Sequence, residues 1–192
     1  MLNEIKQQQQ EILESERLIL RPFSLQDAKI VQRLAGDQAI ADGTFYIPHP
    51  YEDGMAEKWI IEHRAACKRN EQAVFAITTK QTNDPIGAVG LMLHKEELHA
   101  ELGYWIGKPY WGQGFATEAA QTIIKYGLEK FHLTSIYADC FQWNTTSIKV
   151  IQKIGMRWKK SFDKYVERRN VIERVNQYII TLVDKQGCFN GY

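Results

Sequence analysis

Two glycines one residue apart, Gly112 and Gly114, stand where an alternating apolar segment gives way to a long helical one. The segment before them, Glu101-Leu102-Gly103-Tyr104-Trp105-Ile106, reads as a strand, and residues 116–130 carry a helical period. This strand–turn–helix passage commits the chain to a fold that mixes sheet and helix. A helix N-terminus carries unpaired N–H groups and roughly half a positive charge from its aligned peptide dipoles. It is therefore a ready site for a phosphate or another anion. Gly112 and Gly114 allow unusual backbone dihedrals and a close approach of phosphate, because no Cβ stands in the way. Ala116 keeps that approach open, Thr117 adds a hydroxyl, and Glu118 is expected to face solvent and complement the dipole. The pattern Gly-x-Gly-x-Ala is neither the P-loop nor the dinucleotide fingerprint, and taken alone it fits a plain helix start better than an anion site.

The rest of the chain supplies the context. Arg17-Leu18-Ile19-Leu20-Arg21 alternates as a strand closed by Pro22. Ser24 reads as an N-cap, with Asp27 in place of the usual Glu, and the helix it starts ends at Gly36. Residues 41–51, with one glycine and two prolines, read as a loop, and a second amphipathic helix covers about 51–68. Strands at 73–79, 85–93 and 101–106 form an antiparallel meander before the glycine turn. After the helix at 116–130 come a strand at 136–140, a helix at 144–154 stopped by a left-handed Gly155, and strands at 158–167 and 171–182. Residues 1–14 read as a helical extension, 15–184 as one α+β domain and 185–192 as a tail.

A length of 192 residues suits one domain. A net charge of +1 gives no basic footprint for nucleic acid. Cys67, Cys140 and Cys188 are too sparse for a disulfide scaffold or a zinc site, so no metal is expected. Neither a secretory signal nor an apolar run of the ~20 residues needed to span a bilayer is present, and the expectation is a cytoplasmic protein with no membrane partner.

Three ordered motifs carry a resemblance. They are Glu101 to Ile106, then Trp111-Gly112-Gln113-Gly114-Phe115-Ala116-Thr117-Glu118-Ala119, then Asn144-x-x-Ser147 with Lys153-x-Gly155-Met156. Together, and with the opening Glu16-Arg17-Leu18-x-Leu20-Arg21-Pro22, they resemble the GNAT acetyltransferases over about residues 15–182. Trp111 at the first motif position is similar to the RimJ/RimL branch, whose members acetylate protein N-termini. The resemblance implies a twisted, mixed seven-stranded sheet flanked by helices and splayed between its fourth and fifth strands, with acetyl-CoA as co-substrate in the split. It implies a cofactor site of Tyr104, Trp105, Ile106, Trp111, Gly112, Gln113, Gly114, Phe115, Ala116, Thr117, Asn144 and Ser147. The phosphates would rest on the N–H groups of Gln113, Gly114, Ala116 and Thr117, and Asn144 would both cap its helix and bond the pantetheine.

Acetyl transfer to an amine needs a base, an oxyanion partner and an acid for the leaving thiolate. The resemblance implies Glu101 as the base, acting through water; a solvent-facing carboxylate beside Lys95 is the competing reading. Where many relatives keep a tyrosine acid this chain has Ile151, so Ser147 is the candidate acid. Phe45, Tyr46, Tyr51 and Trp59 are candidates for the acceptor wall, and His49 for a loop base or a plain surface histidine. Arg168-Arg169 reads as a solvated hairpin tip. The acceptor is expected to be a protein or peptide α-amine, as on a ribosomal protein, attacking directly in a ternary complex. Small amines such as polyamines, amino acids or aminoglycosides, and a non-catalytic acetyl-CoA sensor, are the alternatives. A homodimer through edge strands or the C-terminal hairpin is the oligomeric expectation.

Overall fold

The computed structural model describes residues 10–182. One open sheet of eight strands runs through it in the order β1-β2-β3-β4-β5-β6-β8-β7. The strands are β1 (Leu13–Glu14), β2 (Leu18–Arg21), β3 (Gln72–Thr79), β4 (Pro85–His94), β5 (His99–Ile106), β6 (Ser135–Phe141), β7 (Arg157–Val166) and β8 (Val171–Thr181). The helices are α1 (Ala28–Ala35), α2 (Gln38–Gly43), α3 (Met55–Lys68), α4 (Phe115–Lys130) and α5 (Thr145–Lys153). Only β5 and β6 pair in parallel; every other neighbouring pair is antiparallel.

The sheet is mixed and flanked by helices as expected, with one strand more than the seven anticipated. Leu13 and Glu14 pair with Leu20 and Ile19, so these two residues of the expected helical extension are extended backbone. Their helix propensity yields because Leu13 packs against the core while the ladder takes up their backbone groups. Residues 1–9 of that extension, and the tail 185–192 with Cys188, lie outside the described residues.

The short helix α2 falls partly in the expected loop. Asp37 starts it, its carboxylate accepting the Ala39 N–H at 2.9 Å, and Ile40 and Ala41 are buried under it. The next helix begins at Met55 rather than near Tyr51, entered through Gly54 at φ 83°. The Ser24–Asp27 signal marks a single 3-10 turn leading into α1, and Asp27 accepts the Ser24 N–H at 2.8 Å. Gly155 takes the left-handed conformation, φ 85°, that ends α5.

Alternation along the strands gives the sheet two apolar faces. Leu18, Leu20, Phe75, Ile77, Leu91 and Ile106 face α4, meeting Ile123 and Ile124, all buried. On the other face Ala76, Ala88 and Trp105 meet Phe23, Val31, Leu34 and Ile60 from the α1 and α3 layer. Helices thus cover both faces, and the site lies where the sheet opens between them.

Candidate active site

β5 and β6 stay paired only where His99, Ala100 and Glu101 meet Ser135, Ile136 and Tyr137. Past that point β5 follows β4 to Ile106, while β6 follows β8 to Phe141. The sheet splits, and alternate backbone groups of β5 face the gap. This is the split expected between the fourth and fifth strands of a seven-stranded count.

The chain leaves β5 through a 3-10 turn at Lys108–Tyr110 and enters α4 by Gly112 (φ 74°) and Gly114 (φ 83°), both left-handed. The Trp111 indole donates to the Ile106 carbonyl and ties the turn to the strand end. Gly114 is the N-cap of α4, and the Glu118 N–H bonds its carbonyl at 3.1 Å. The N–H groups of Phe115, Ala116 and Thr117 therefore have no partner within the helix. Arg17 braces the turn from outside, donating to the Gln113 carbonyl at 2.9 Å with its guanidinium 4.8 Å from the Phe115 ring centre.

Glu118 does not face solvent. It accepts the Ser15 hydroxyl, the Arg17 N–H and the Arg17 guanidinium, each at 2.7 Å, and so fastens the β1–β2 turn to α4. Burial pushes its carboxyl up, but these donors together hold it below the usual carboxylate value.

A groove of about 640 Å³ opens between this turn and α5. Tyr104, Trp105, Ile106, Trp111, Gly112 and residues 114–117 line one side, and Asn144 and Ser147 the other. Gln113 is not in the lining; its side chain turns to the Pro109 carbonyl at 3.4 Å. Thr146, Lys149, Val150 and Lys153 complete the α5 wall. Their i, i+3, i+4, i+7 spacing puts them on one helix face, a periodicity that shows two lysines aimed at the groove once the groove is known.

A second cavity, about 610 Å³, lies on the α3 side of the sheet. Phe45, Tyr46, Tyr51 and Trp59 all line it, as do Glu101, Gly103 and Asp139. Trp59 serves packing as well, meeting Phe23 edge-on at 5.0 Å. His49 lies 3.0 Å from the Gly36 carbonyl through Nδ1 and lines neither cavity.

The two cavities share Gly43, Thr44, Tyr104, Trp105 and Ser147 in their walls. At that junction the Tyr104 hydroxyl and Ser147 Oγ are 2.9 Å apart. Burial pushes the Tyr104 phenol well up, so it stays protonated. Asn144 accepts the Ser147 N–H at 3.0 Å as an N-cap and donates to the Gly43 carbonyl at 3.2 Å. Ile151 is buried in the α3-side wall, where no proton can be offered.

Glu101 is half-buried in that cavity, not beside Lys95, whose ammonium bonds the Arg69 carbonyl. Burial first, and then the nearby Asp139, raise its carboxyl above the usual value. The Tyr137 hydroxyl donates to it at 3.3 Å and lies 3.2 Å from His94 Nε2. Arg168 is not a solvated tip. It donates to the Ala41, Thr44 and Phe45 carbonyls and pins the loop that forms the shared wall. Arg169 lies 4.7 Å over the Phe141 ring and pairs with Glu173. Nothing local in the sequence shows either role, because the partners are over a hundred residues away or across a hairpin.

A model of the acetyltransferase (GNAT) domain matches residues 17–157. The chain belongs to the GNAT acetyltransferases. An uncharacterized N-acetyltransferase, p20, of Bacillus licheniformis is 30% identical over 179 residues, covering 92% of this chain and 98% of that protein. A GNAT-family acetyltransferase of Bacillus anthracis superposes with a TM-score of 0.78 at 26% identity, covering 89% of this chain and 98% of its own. RimL, a ribosomal L7/L12 alpha-N-protein acetyltransferase in complex with coenzyme A, shares the fold with a TM-score of 0.78 at 16% identity, covering 89% and 98%. The protein is a GNAT N-acetyltransferase, and it has both a split sheet and a glycine turn. Among the described residues no helix is long and apolar enough to cross a membrane, and no cluster of His, Cys, Asp or Glu forms a metal site.

Proposed function

We propose that this GNAT N-acetyltransferase transfers acetyl from acetyl-CoA to the α-amine of a protein or peptide, by direct attack in a ternary complex. The observation that carries this reading is the meeting of two cavities, on opposite faces of a split sheet, at Tyr104 and Ser147. One cavity has the features of a coenzyme A site. The unpaired N–H groups at the start of α4 suit a pyrophosphate, Gly112 and Gly114 leave room for it, and Lys149 and Lys153 supply positive charge opposite. The exposed edge of β5 suits an amide-bearing arm added like a further strand. The other cavity then takes the amine.

In the transfer, the amine nitrogen bonds the acetyl carbon and the carbon–sulfur bond breaks. The proton lost by nitrogen goes to Glu101, directly or through water, since its raised affinity for a proton suits a base near neutral pH. The Ser147 hydroxyl hands a proton to the leaving sulfur as it takes one from solvent in the groove, and the Tyr104 hydroxyl 2.9 Å away, which keeps its own proton, holds it in position. RimL's action on a ribosomal protein supports a protein acceptor. So does the acceptor cavity, whose wall is mainly aromatic and apolar where a polyamine or aminoglycoside would call for dense acidity.

The test is thiol release from acetyl-CoA over peptides, polyamines and aminoglycosides. Release with peptides is the expected result, and release only with polycations would overturn the acceptor assignment. Stabilisation by acetyl-CoA without release for any amine would point to the sensor reading.

A further inference from the structure

Gly90 and Gly103 face each other across β4 and β5, in the middle of the sheet face that forms the floor of the α3-side cavity. Strand interiors disfavour glycine, which brings no side chain to pack and loses the most backbone entropy. The two positions differ in what a side chain would meet. A Cβ on Gly90 would come 2.9 Å from Val74 Cγ2, so packing accounts for that glycine. A Cβ on Gly103 would meet nothing within 4 Å, and its φ is not positive. Neither packing nor backbone conformation calls for a glycine at 103. Its absent side chain leaves a hollow.

The cavity into which this hollow opens has Phe45, Tyr46, Ile47, Tyr51, Met55 and Trp59 in its walls. Carboxylates border it, Glu101 two residues back along the same strand face, on the side away from Tyr104, and Asp139 across the split. An ammonium group fits beside those carboxylates, and a hydroxyl or carboxylate set against the aromatic and aliphatic walls would lose its water with little compensation. We propose that the space over Gly103 seats a bulky apolar side group next to the acceptor's amine. The enzyme thus selects amines with an aromatic or large aliphatic neighbour: in a peptide, an N-terminal Phe, Leu or Met in preference to Ser, Gly or Asp. This rests on reading the α3-side cavity as the acceptor site.

The experiment compares kcat/KM for peptides that differ only in the first residue, with phenethylamine and ethanolamine as non-peptide counterparts. Burying the side group is expected to favour Phe, Leu and Met by about tenfold or more over Ser and Gly. Gly103→Val fills the hollow with a good strand former and should cut the Phe-to-Ser ratio by about tenfold. An acetyl-CoA-induced rise in Tm shows that the variant is folded and the cofactor groove intact. Tyr46→Ser, at a rim position 70% exposed, should cut the ratio in the same direction with little effect on folding. A ratio near one, a preference for Ser or Gly, or a ratio that Gly103→Val leaves unmoved in a folded protein would overturn the inference. Acetylation of phenethylamine but of no peptide would overturn the peptide reading and leave this one standing. Preference for hydrophilic peptides would do the reverse, and no transfer to any amine would overturn both.

Discussion

Gly54 and Gly114 form a matched pair that separates backbone strain from ligand binding. Each is the N-cap of a helix, α3 and α4 respectively, and each has φ 83°. An alanine in that left-handed conformation costs about 1–2 kcal/mol at either site. At Gly54 the new Cβ meets nothing within 4 Å, and at Gly114 it comes 3.3 Å from Arg17 Nη2, which must give by a few tenths of an ångström while keeping its bonds to Glu118 and Gln113. Strain therefore dominates both costs, and for a chain of this size each substitution should lower Tm by about 2–8 °C. Only Gly114 lines the groove beside α5. Its Cβ stands where a phosphate approaches the α4 N-terminus, so Gly114→Ala should weaken acetyl-CoA by about tenfold or more, equivalent to ~1.4 kcal/mol. At saturating acetyl-CoA the ligand-induced rise in Tm should then shrink by about 3–5 °C in Gly114→Ala and stay at the wild-type size in Gly54→Ala. Differential scanning fluorimetry with and without acetyl-CoA reads both effects. A full ligand-induced rise in Gly114→Ala, or an equal loss in both variants, would refute the phosphate role of the turn.

Glu101 sets a pH prediction. Its carboxyl is raised above 4.5, so the base form, and with it kcat/KM, is present above that raised value and lost as pH falls through it. Glu101→Gln should remove the acid limb and lower the plateau by about 100-fold, measured by thiol release across about pH 5 to 9. Ser147→Ala should reduce single-turnover transfer by about 100-fold while the acetyl-CoA Kd changes little; an unaltered rate would place the acid elsewhere. Asp27 is 5% exposed and held by Arg21 through two bonds of 2.8 Å. Burial pushes its carboxyl up, but Arg21 and the Ser24 N–H outweigh that and leave it below 3.8. Its stabilising effect is therefore full above 3.8 and lost as pH falls through the lowered value. Asp27→Asn should cost about 3 kcal/mol at neutral pH, and its urea midpoint should fall less in acid than that of the wild type. Arg168→Ala releases the loop carbonyls of Ala41, Thr44 and Phe45 and should lower kcat/KM by about tenfold, with the KM values of both substrates raised.

Most of the fold was legible because its signals are local. Alternation marks seven strands, and the Gly112–Gly114 spacing marks the entry to α4. Asn144 followed by Ser147 announces its own cap, which the structure shows at 3.0 Å. The eighth strand was hidden because Leu13 and Glu14 have helical neighbours in sequence and a strand partner only in space. The helix α2 was masked by Gly43, its own last residue, and by the prolines that follow it.

The candidate site divides along the same line. Residue types and spacings on one segment determined the turn, the capping asparagine and the family to which they belong, since dihedral preference and helix period act within a few residues. The tertiary structure decided where side chains from distant segments meet. It brought Tyr104 to Ser147, Glu101 to Tyr137, Arg17 to Glu118 and Arg168 to the loop after α2. It also made Gly103 a hollow instead of a weak strand residue, because a missing side chain leaves a space only when the walls around it are supplied by other parts of the chain.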